Sequence, residues 1–262
     1  MELIKLLSNW QMEQPKLFGL FHIAFLLLTI AASFLLIFFF RNSSEKMMKR
    51  IVLICWITTT VLEIGKQFIF SYMTGALKYN WSEFPFQFCE TPIFIMPILF
   101  FNKNKKFQNI LITFLATFAF FAGLGVLMNP TAIMSTYAFL NVRHMIGHGI
   151  QVSLGLYLFA WNRKEVSLKN FLYATVIFLC LTGIALLFDA IVDPLVEDQV
   201  NMFLIYPKYE STLFVLSDIK PHVPWIIFLL FYLISFTVLA SASYLVEIGV
   251  WRLLSKIKTN KN

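Results

Sequence analysis

Seven apolar segments set the strongest constraint on how this chain can fold. They cover residues 17–40, 51–75, 84–101, 109–128, 141–161, 171–193 and 224–247. Each is about 17–25 residues long, the length that an α-helix needs to cross a hydrocarbon core of about 30 Å. The pattern predicts an all-α integral membrane protein, a seven-transmembrane-helix bundle that forms a single polytopic domain over residues 1–262.

The composition supports this prediction and limits the functions to consider. Charged residues make up 13% of the chain, whereas soluble domains carry about 25%. The net charge of +7 is of the sign that nucleic acids attract, but its distribution is that of a membrane protein, so we expect no nucleic-acid partner. Cys55, Cys89 and Cys180 lie in apolar segments without paired spacing, which predicts neither a disulfide framework nor a zinc ribbon.

The basic residues predict the orientation of the bundle. Most of the 21 Lys and Arg residues lie in the connections after the first, third and fifth segments and in the tail after the seventh. Because cytoplasmic connections are enriched in Lys and Arg, we expect the N-terminus outside and the C-terminus in the cytoplasm of a multi-pass plasma-membrane protein. The longest outer connection, 194–223, is rich in aromatic residues and is expected to cap the outer face, with a solvated linker as the alternative.

The third segment differs from a plain membrane anchor. It contains Pro85, Pro92 and Pro97 together with Cys89 and Glu90. A proline inside a helix removes a backbone hydrogen bond, and loosened backbone is tolerated at membrane depth only where protein or water satisfies it. The sequence therefore predicts that a functional site surrounds Cys89 and Glu90.

Other polar residues lie at a similar depth, in the predicted outer half of the bilayer. Ionisable side chains at membrane depth are costly and usually face the bundle interior, which predicts one shared polar cavity. On the fifth segment a polar stripe recurs at helical spacing. The stripe consists of Asn141, His144, His148, Gln151 and Gly155, and the other residues at this depth are His22, Glu63, Lys66 and Asp189.

Several of these residues have a structural interpretation beside the functional one. Glu63 and Lys66 can pair at i,i+3, either to fix helix packing or as part of a site. His22 stands alone on an apolar helix and is interpreted as a packing residue, as are Cys55 and Cys180.

Two chemistries fit the polar set, and a third is excluded. A cysteine with a histidine in reach can transfer acyl groups through a thioester. His144 and His148 at i,i+4 could present two metal ligands, with His22 as a third, but the Glu of the HExxH protease pattern is missing. Retinal binding is excluded because the seventh segment contains no Lys. We expect no cofactor.

Short motifs along nearly the whole chain resemble a known family. Phe21-His22, a small-residue run before Asn129-Pro130, His148-Gly149 and Lys220-Pro221 are similar to motifs of the YwaF-like bacterial integral membrane proteins. The third-segment motif of that family, Leu-Pro-Leu-His-Leu-Cys, resembles Phe84-Pro85-Phe86-Gln87-Phe88-Cys89. The family is distantly related to a eukaryotic multi-span family that includes a phospholipid acyltransferase, so the resemblance implies this fold and is suggestive of acyl transfer.

The chain departs from the family pattern at two positions. Gln87 replaces the family's His. The acyltransferase relatives place their nucleophilic cysteine directly after the proline, where this chain has Phe86, so Cys89 lies almost one helical turn further on.

Two functions follow, and a metal-dependent membrane hydrolase that uses His22, His144 and His148 is a third. The first is a lipid-acting enzyme, an acyltransferase with Cys89 as nucleophile and His148 as base, whose partners are membrane lipids. The alternative is a transporter or receptor that binds a small solute in the same cavity. The expected substrate-binding residues are Glu63, Lys66, Gln87, Glu90, His144, Gln151 and Asp189.

Overall fold

The computed structural model describes residues 2–73, 78–163, 165, 167–213 and 215–259. The predicted end of the second segment, at residue 75, lies outside the described residues. The described chain is helical with no strand, which confirms the all-α prediction. Its helices are α1 Glu2–Asn9, α2 Leu20–Phe40, α3 Glu45–Met73, α4 Pro92–Phe101, α5 Lys105–Phe114, α6 Phe120–Met128, α7 Ala138–Asn162, α8 Leu168–Val192, α9 Leu216–Ile219 and α10 Trp225–Thr259.

Among the described residues, four stretches are long and apolar enough to cross a membrane. They are Leu20–Phe40, Lys105–Met128, Leu168–Leu195 and Trp225–Val246, and Phe88–Phe101 is a shorter apolar stretch. Large apolar side chains on α2, α3, α8 and α10 point outward and are exposed, as contact with lipid requires. The seven crossings stay a prediction.

The third apolar segment is not one helix, contrary to the predicted span 84–101. Residues 84–87 are non-helical, Phe88–Glu90 form a 3₁₀ turn, and α4 begins only at Pro92. The cause is Pro92, which lacks a backbone N–H and therefore fits the first turn of a helix better than its interior. The loosened backbone expected beside Cys89 is thus a separate turn rather than a kink. α4 itself continues through Pro97.

α7 is the central helix of the bundle. It packs against α2, α3, α5 and α6, and buried residues occur on all of its sides. Gly155 allows a close approach: a Cβ at this position would lie 2.8 Å from Cβ of Phe120 and 3.0 Å from the carbonyl oxygen of Leu115. Leu115 begins the π-helical segment Leu115–Ala119, which joins α5 to α6 in one continuous helix.

The connections predicted to be cytoplasmic contact one another at one end of the bundle. Lys49 donates to the carbonyl oxygen of Asn102 at 2.7 Å, and Arg163 donates to Asn42 at 2.8 Å. The basic loops after α2, α4 and α7 are therefore neighbours.

The described part of the connection 194–223 folds back onto the turn that contains Cys89. Asp189, at the end of α8, accepts a hydrogen bond from the backbone N–H of Met202 at 2.8 Å. The next residue, Phe203, is buried and its ring centroid lies 5.7 Å from that of Phe86 and 5.5 Å from that of Phe88. This connection therefore packs against the turn.

A cation and a phenol anchor the far part of the same connection. Lys208 pairs with Asp193 at 2.8 Å, and Tyr209 donates a hydrogen bond to the same carboxylate. The hydrogen bond to Asp193 raises the pKa of Tyr209 above its ordinary value, because the phenol proton is held by the carboxylate.

Replacing Gly155 by alanine tests the close contact of α7 with the π-helical segment. The added Cβ must displace Phe120 or the backbone of Leu115, so we expect the free energy of unfolding in detergent to fall by about 1–3 kcal/mol. Gly183→Ala on α8 is the matched control, because its Cβ meets no atom within 4 Å. Equal changes in the free energy of unfolding for the two variants would contradict this close contact.

Candidate functional site

A cavity lies between α3, the Phe88–Glu90 turn, α4, the π-helical segment and α7. Its volume is about 40 Å³, enough for a few water molecules and too small for a lipid acyl chain. Five residues of the predicted site line it: Cys89, Glu90, His144, His148 and Gln151. The predicted nucleophile and the predicted base therefore face the same space.

Gln151 connects the cysteine turn to the histidine. Its amide nitrogen Nε2 donates to the backbone carbonyl oxygen of Cys89, and its amide oxygen Oε1 lies 3.1 Å from Nδ1 of His148. Gln151 is one helical turn after His148 on α7, so the connection is built into the polar stripe of that helix. One side chain fixes the positions of both groups.

This connection determines the tautomer of His148. A carbonyl oxygen only accepts hydrogen bonds, so Nε2 of Gln151 must face Cys89 and Oε1 must face His148. Nδ1 of His148 is then the ring nitrogen that carries the proton, and Nε2 keeps a free lone pair. A neutral imidazole held in this way can accept a proton at Nε2.

Gly123 on α6 makes room for Gln151. A Cβ at this position would lie 2.7 Å from Cβ of Gln151 and 2.8 Å from its Oε1. It would also lie 3.0 Å from the carbonyl oxygen of His148. The amide orientation therefore depends on a glycine of the neighbouring helix.

Four charged side chains form a buried network beside the cavity. Lys66 contacts Glu63 at 3.0 Å and Glu90 at 2.8 Å. Arg143 contacts Glu90 at 2.8 Å and also pairs with Glu63. Lys66 also lies 3.5 Å from the partly exposed carboxylate of Glu83. The opposite charges of the network offset one another, as buried charges must. The expected i,i+3 contact of Glu63 with Lys66 is present within this larger network.

The network holds the turn that contains Cys89. Glu90 follows Cys89 directly and is bound by Lys66 from α3 and by Arg143 from α7. The second oxygen of Glu90 accepts a hydrogen bond from the backbone N–H of Gln87 at 3.1 Å, which closes the turn. The charges therefore position the cysteine backbone, and their mutual pairing accounts for their burial.

Arg143 was not among the predicted site residues, although it lines the cavity. It lies near the predicted start of the fifth segment, where an arginine can extend to the membrane surface. Its spacing in the sequence could have placed it in the site. Arg143 is four residues before Gly147 and eight before Gln151, so it shares the cavity face of α7.

The other predicted residues lie elsewhere. Glu63 and Lys66 belong to the ion network with Glu90. The side chain of Gln87 donates to the carbonyl oxygen of Asn201 at 3.0 Å. Asp189 supports Met202 and is not among the described residues that line the cavity. The estimated depth in the bilayer did not distinguish these residues from those that line the cavity.

His22 is buried and connects two helices. Its Nδ1 accepts a hydrogen bond from the backbone N–H of Phe18 at 3.0 Å, so its Nε2 donates to the carbonyl oxygen of Leu127 at 2.7 Å. Both ring nitrogens therefore make hydrogen bonds to backbone groups, in agreement with the structural interpretation of His22. Within the described residues no group of three or more His, Cys, Asp or Glu side chains is placed to hold a metal ion.

The outward apolar surfaces, the long apolar helices and the polar interior define an α-helical integral membrane protein. A model of the TMEM164 family matches residues 17–245. The chain therefore belongs to the TMEM164 family. Comparison with curated proteins gave no match, and comparison with solved structures gave none either.

Replacing Glu90 by glutamine tests the role of the ion network. The substitution leaves Lys66 and Arg143 short of a buried counter-charge, so we expect the free energy of unfolding in nanodiscs to fall by about 3–5 kcal/mol. Glu197→Gln is the control, because Glu197 pairs with Lys78 at the surface, where ion pairs contribute little. A Glu90 variant as stable as the Glu197 variant would show that the network does not hold the turn.

Proposed function

We propose that the protein is a membrane enzyme that transfers acyl groups between lipids through a thioester on Cys89. The observation that supports this most is the hydrogen-bonded connection from His148 through Gln151 to the backbone of Cys89. Cysteine acyltransferases and proteases need a nucleophile, a base, and a third group that orients the base. Cys89, His148 and Gln151 supply these three roles.

In the proposed reaction the thiol proton of Cys89 passes to Nε2 of His148. The sulfur attacks the carbonyl carbon of a lipid ester, and the carbonyl electron pair moves to its oxygen. Collapse of this intermediate breaks the bond to the lipid alkoxide, which takes the proton from His148 and leaves an acyl thioester. A hydroxyl group of an acceptor lipid then attacks the thioester by the reverse sequence and regenerates the thiol.

A lipid substrate is supported by the surroundings of the cysteine. Apolar side chains of α4 and α7, among them Ile93, Met96, Ile150 and Leu154, line the cavity beside the polar groups. Since the cavity of about 40 Å³ cannot hold an acyl chain, the helices must separate to admit one. A Cβ at Gly147, which also lines the cavity, would meet no atom within 4 Å, so this glycine keeps the space open.

We propose further that the chain crosses the plasma membrane seven times, with the N-terminus outside. The clustered basic loops after α2, α4 and α7 support a shared cytoplasmic side. The Cys89 turn is at the other end of α4 from the loop at 102–104, so the reaction would take place in the outer half of the bilayer.

The alternative is a transporter or receptor that binds a small solute in the same cavity. It requires charged groups that are available to a solute, whereas Glu63, Lys66, Glu90 and Arg143 are engaged with one another. The pairing therefore favours the enzyme.

Loss of either Cys89 or His148 should abolish acyl transfer. We expect Cys89→Ser and His148→Ala to lower the turnover of acyl-labelled phospholipid in proteoliposomes by at least about 10³-fold, because each removes a group that the chemistry requires. Cys55→Ser and Cys180→Ser are matched controls, since these thiols do not line the cavity. Full turnover in the Cys89 and His148 variants would refute the enzyme, and solute-dependent uptake that survives in both would favour the transporter.

Gly123→Ala tests the role of Gln151 without touching a reacting group. Its Cβ must displace the Gln151 amide and with it the orientation of His148, so we expect turnover to fall by about 10²-fold, the effect of a displacement of about 1 Å. Gly125→Ala on the same helix is the matched control, because its Cβ meets no atom within 4 Å. Turnover must be compared at equal folded fraction, and equal rates for the two variants would contradict the assigned role.

A further inference from the structure

The two histidines of the α7 stripe are held in opposite tautomers. Their rings are nearly parallel, at 7° and with centroids 6.4 Å apart, and both line the cavity. His148 has its proton on Nδ1 because it donates to Gln151. The hydrogen-bond partner of His144 places the proton of that ring on Nε2 instead.

That partner is the guanidinium of Arg143. Its NH1 group lies 2.9 Å from Nδ1 of His144, while its NH2 group contacts Glu63 and Glu90. A guanidinium only donates hydrogen bonds, so Nδ1 of His144 is the acceptor and Nε2 carries the proton. His144 is therefore a neutral donor at Nε2.

The donor of His144 is available to a ligand. Within the described residues its Nε2 makes no hydrogen bond to a protein atom, and neither does Nε2 of His148. One helix face thus presents a free N–H on His144 and a free lone pair on His148, one turn apart, beside Cys89. The contact of His144 with Arg143 and the contact of His148 with Gln151 fix these two tautomers.

We propose that His144 is a further catalytic residue, which donates a hydrogen bond from Nε2 to the oxyanion formed when Cys89 attacks an ester carbonyl. This inference rests on the proposed acyl transfer and assigns the one role that Cys89, His148 and Gln151 leave open. The carbonyl oxygen gains a full negative charge in that step, and a fixed donor in a site shielded from water stabilises it strongly. His148 therefore accepts the thiol proton, and His144 stabilises the negative charge of the oxyanion.

Two probes of Cys89 separate this role from a structural one. A p-nitrophenyl ester of a medium-chain fatty acid acylates the thiol through an oxyanion and releases p-nitrophenolate. Iodoacetamide alkylates the same thiol by direct displacement of iodide, with no oxyanion. Both are applied to the full chain in nanodiscs with Cys55→Ser and Cys180→Ser as background, and modification of Cys89 is followed by peptide mass spectrometry.

We expect His144→Leu to slow acylation by about 10²–10³-fold and to leave alkylation within about twofold. His144→Gln, whose amide nitrogen can replace the Nε2–H donor, should recover most of the acylation rate. His148→Gln should slow both reactions, because thiolate formation precedes both.

Equal losses in both reactions for His144→Leu would assign a structural role and overturn the inference, as would unchanged acylation. In either case the proposed enzyme stands if Cys89 is acylated faster in the parent protein than in His148→Gln. If the parent and His148→Gln acylate at the same rate, the proposed function fails, and the role of His144 fails with it.

Discussion

The pairing of Glu90 with Lys66 and Arg143 is the interaction on which the site depends. α4 is only ten residues long and begins at Pro92, so the turn before it has no helix of its own to hold it in place. Contacts of 2.8 Å from Lys66 on α3 and from Arg143 on α7 fix the carboxylate that follows Cys89. Charges in an apolar interior persist only when they are paired, so removing one partner leaves an uncompensated buried charge beside the turn.

The second constraint is the α7 face itself. Arg143, His144, His148 and Gln151 are spaced so that each histidine has one neighbour that fixes its tautomer. The neighbours are themselves held, Arg143 by the carboxylates and Gln151 by Gly123 and the carbonyl of Cys89. Groups locked in this way lose little freedom when a substrate binds, which is the basis of electrostatic preorganisation.

The sequence was sufficient for the all-α class and for the polar stripe of α7, because apolar composition and helical spacing are local properties. It was insufficient at the third segment, where Pro92 starts a helix that hydropathy alone extends to residue 84. The estimated depths in the bilayer grouped Asp189 and Gln87 with the cavity. A depth gives the position of a residue along the membrane normal and not the direction in which its side chain points. Arg143 was missed because its partners, Glu63 and Glu90, come from other elements, and such contacts are tertiary.

In the proposed reaction Cys89 accepts an acyl group from a membrane lipid. The most direct test is the mass of the Cys89 peptide from protein isolated from its own membranes under conditions that preserve thioesters. We expect a fraction of this peptide to carry a fatty-acyl mass increment that neutral hydroxylamine removes and that is absent from the peptides of Cys55 and Cys180. An unmodified Cys89 peptide in membranes where acyl transfer is active would contradict it.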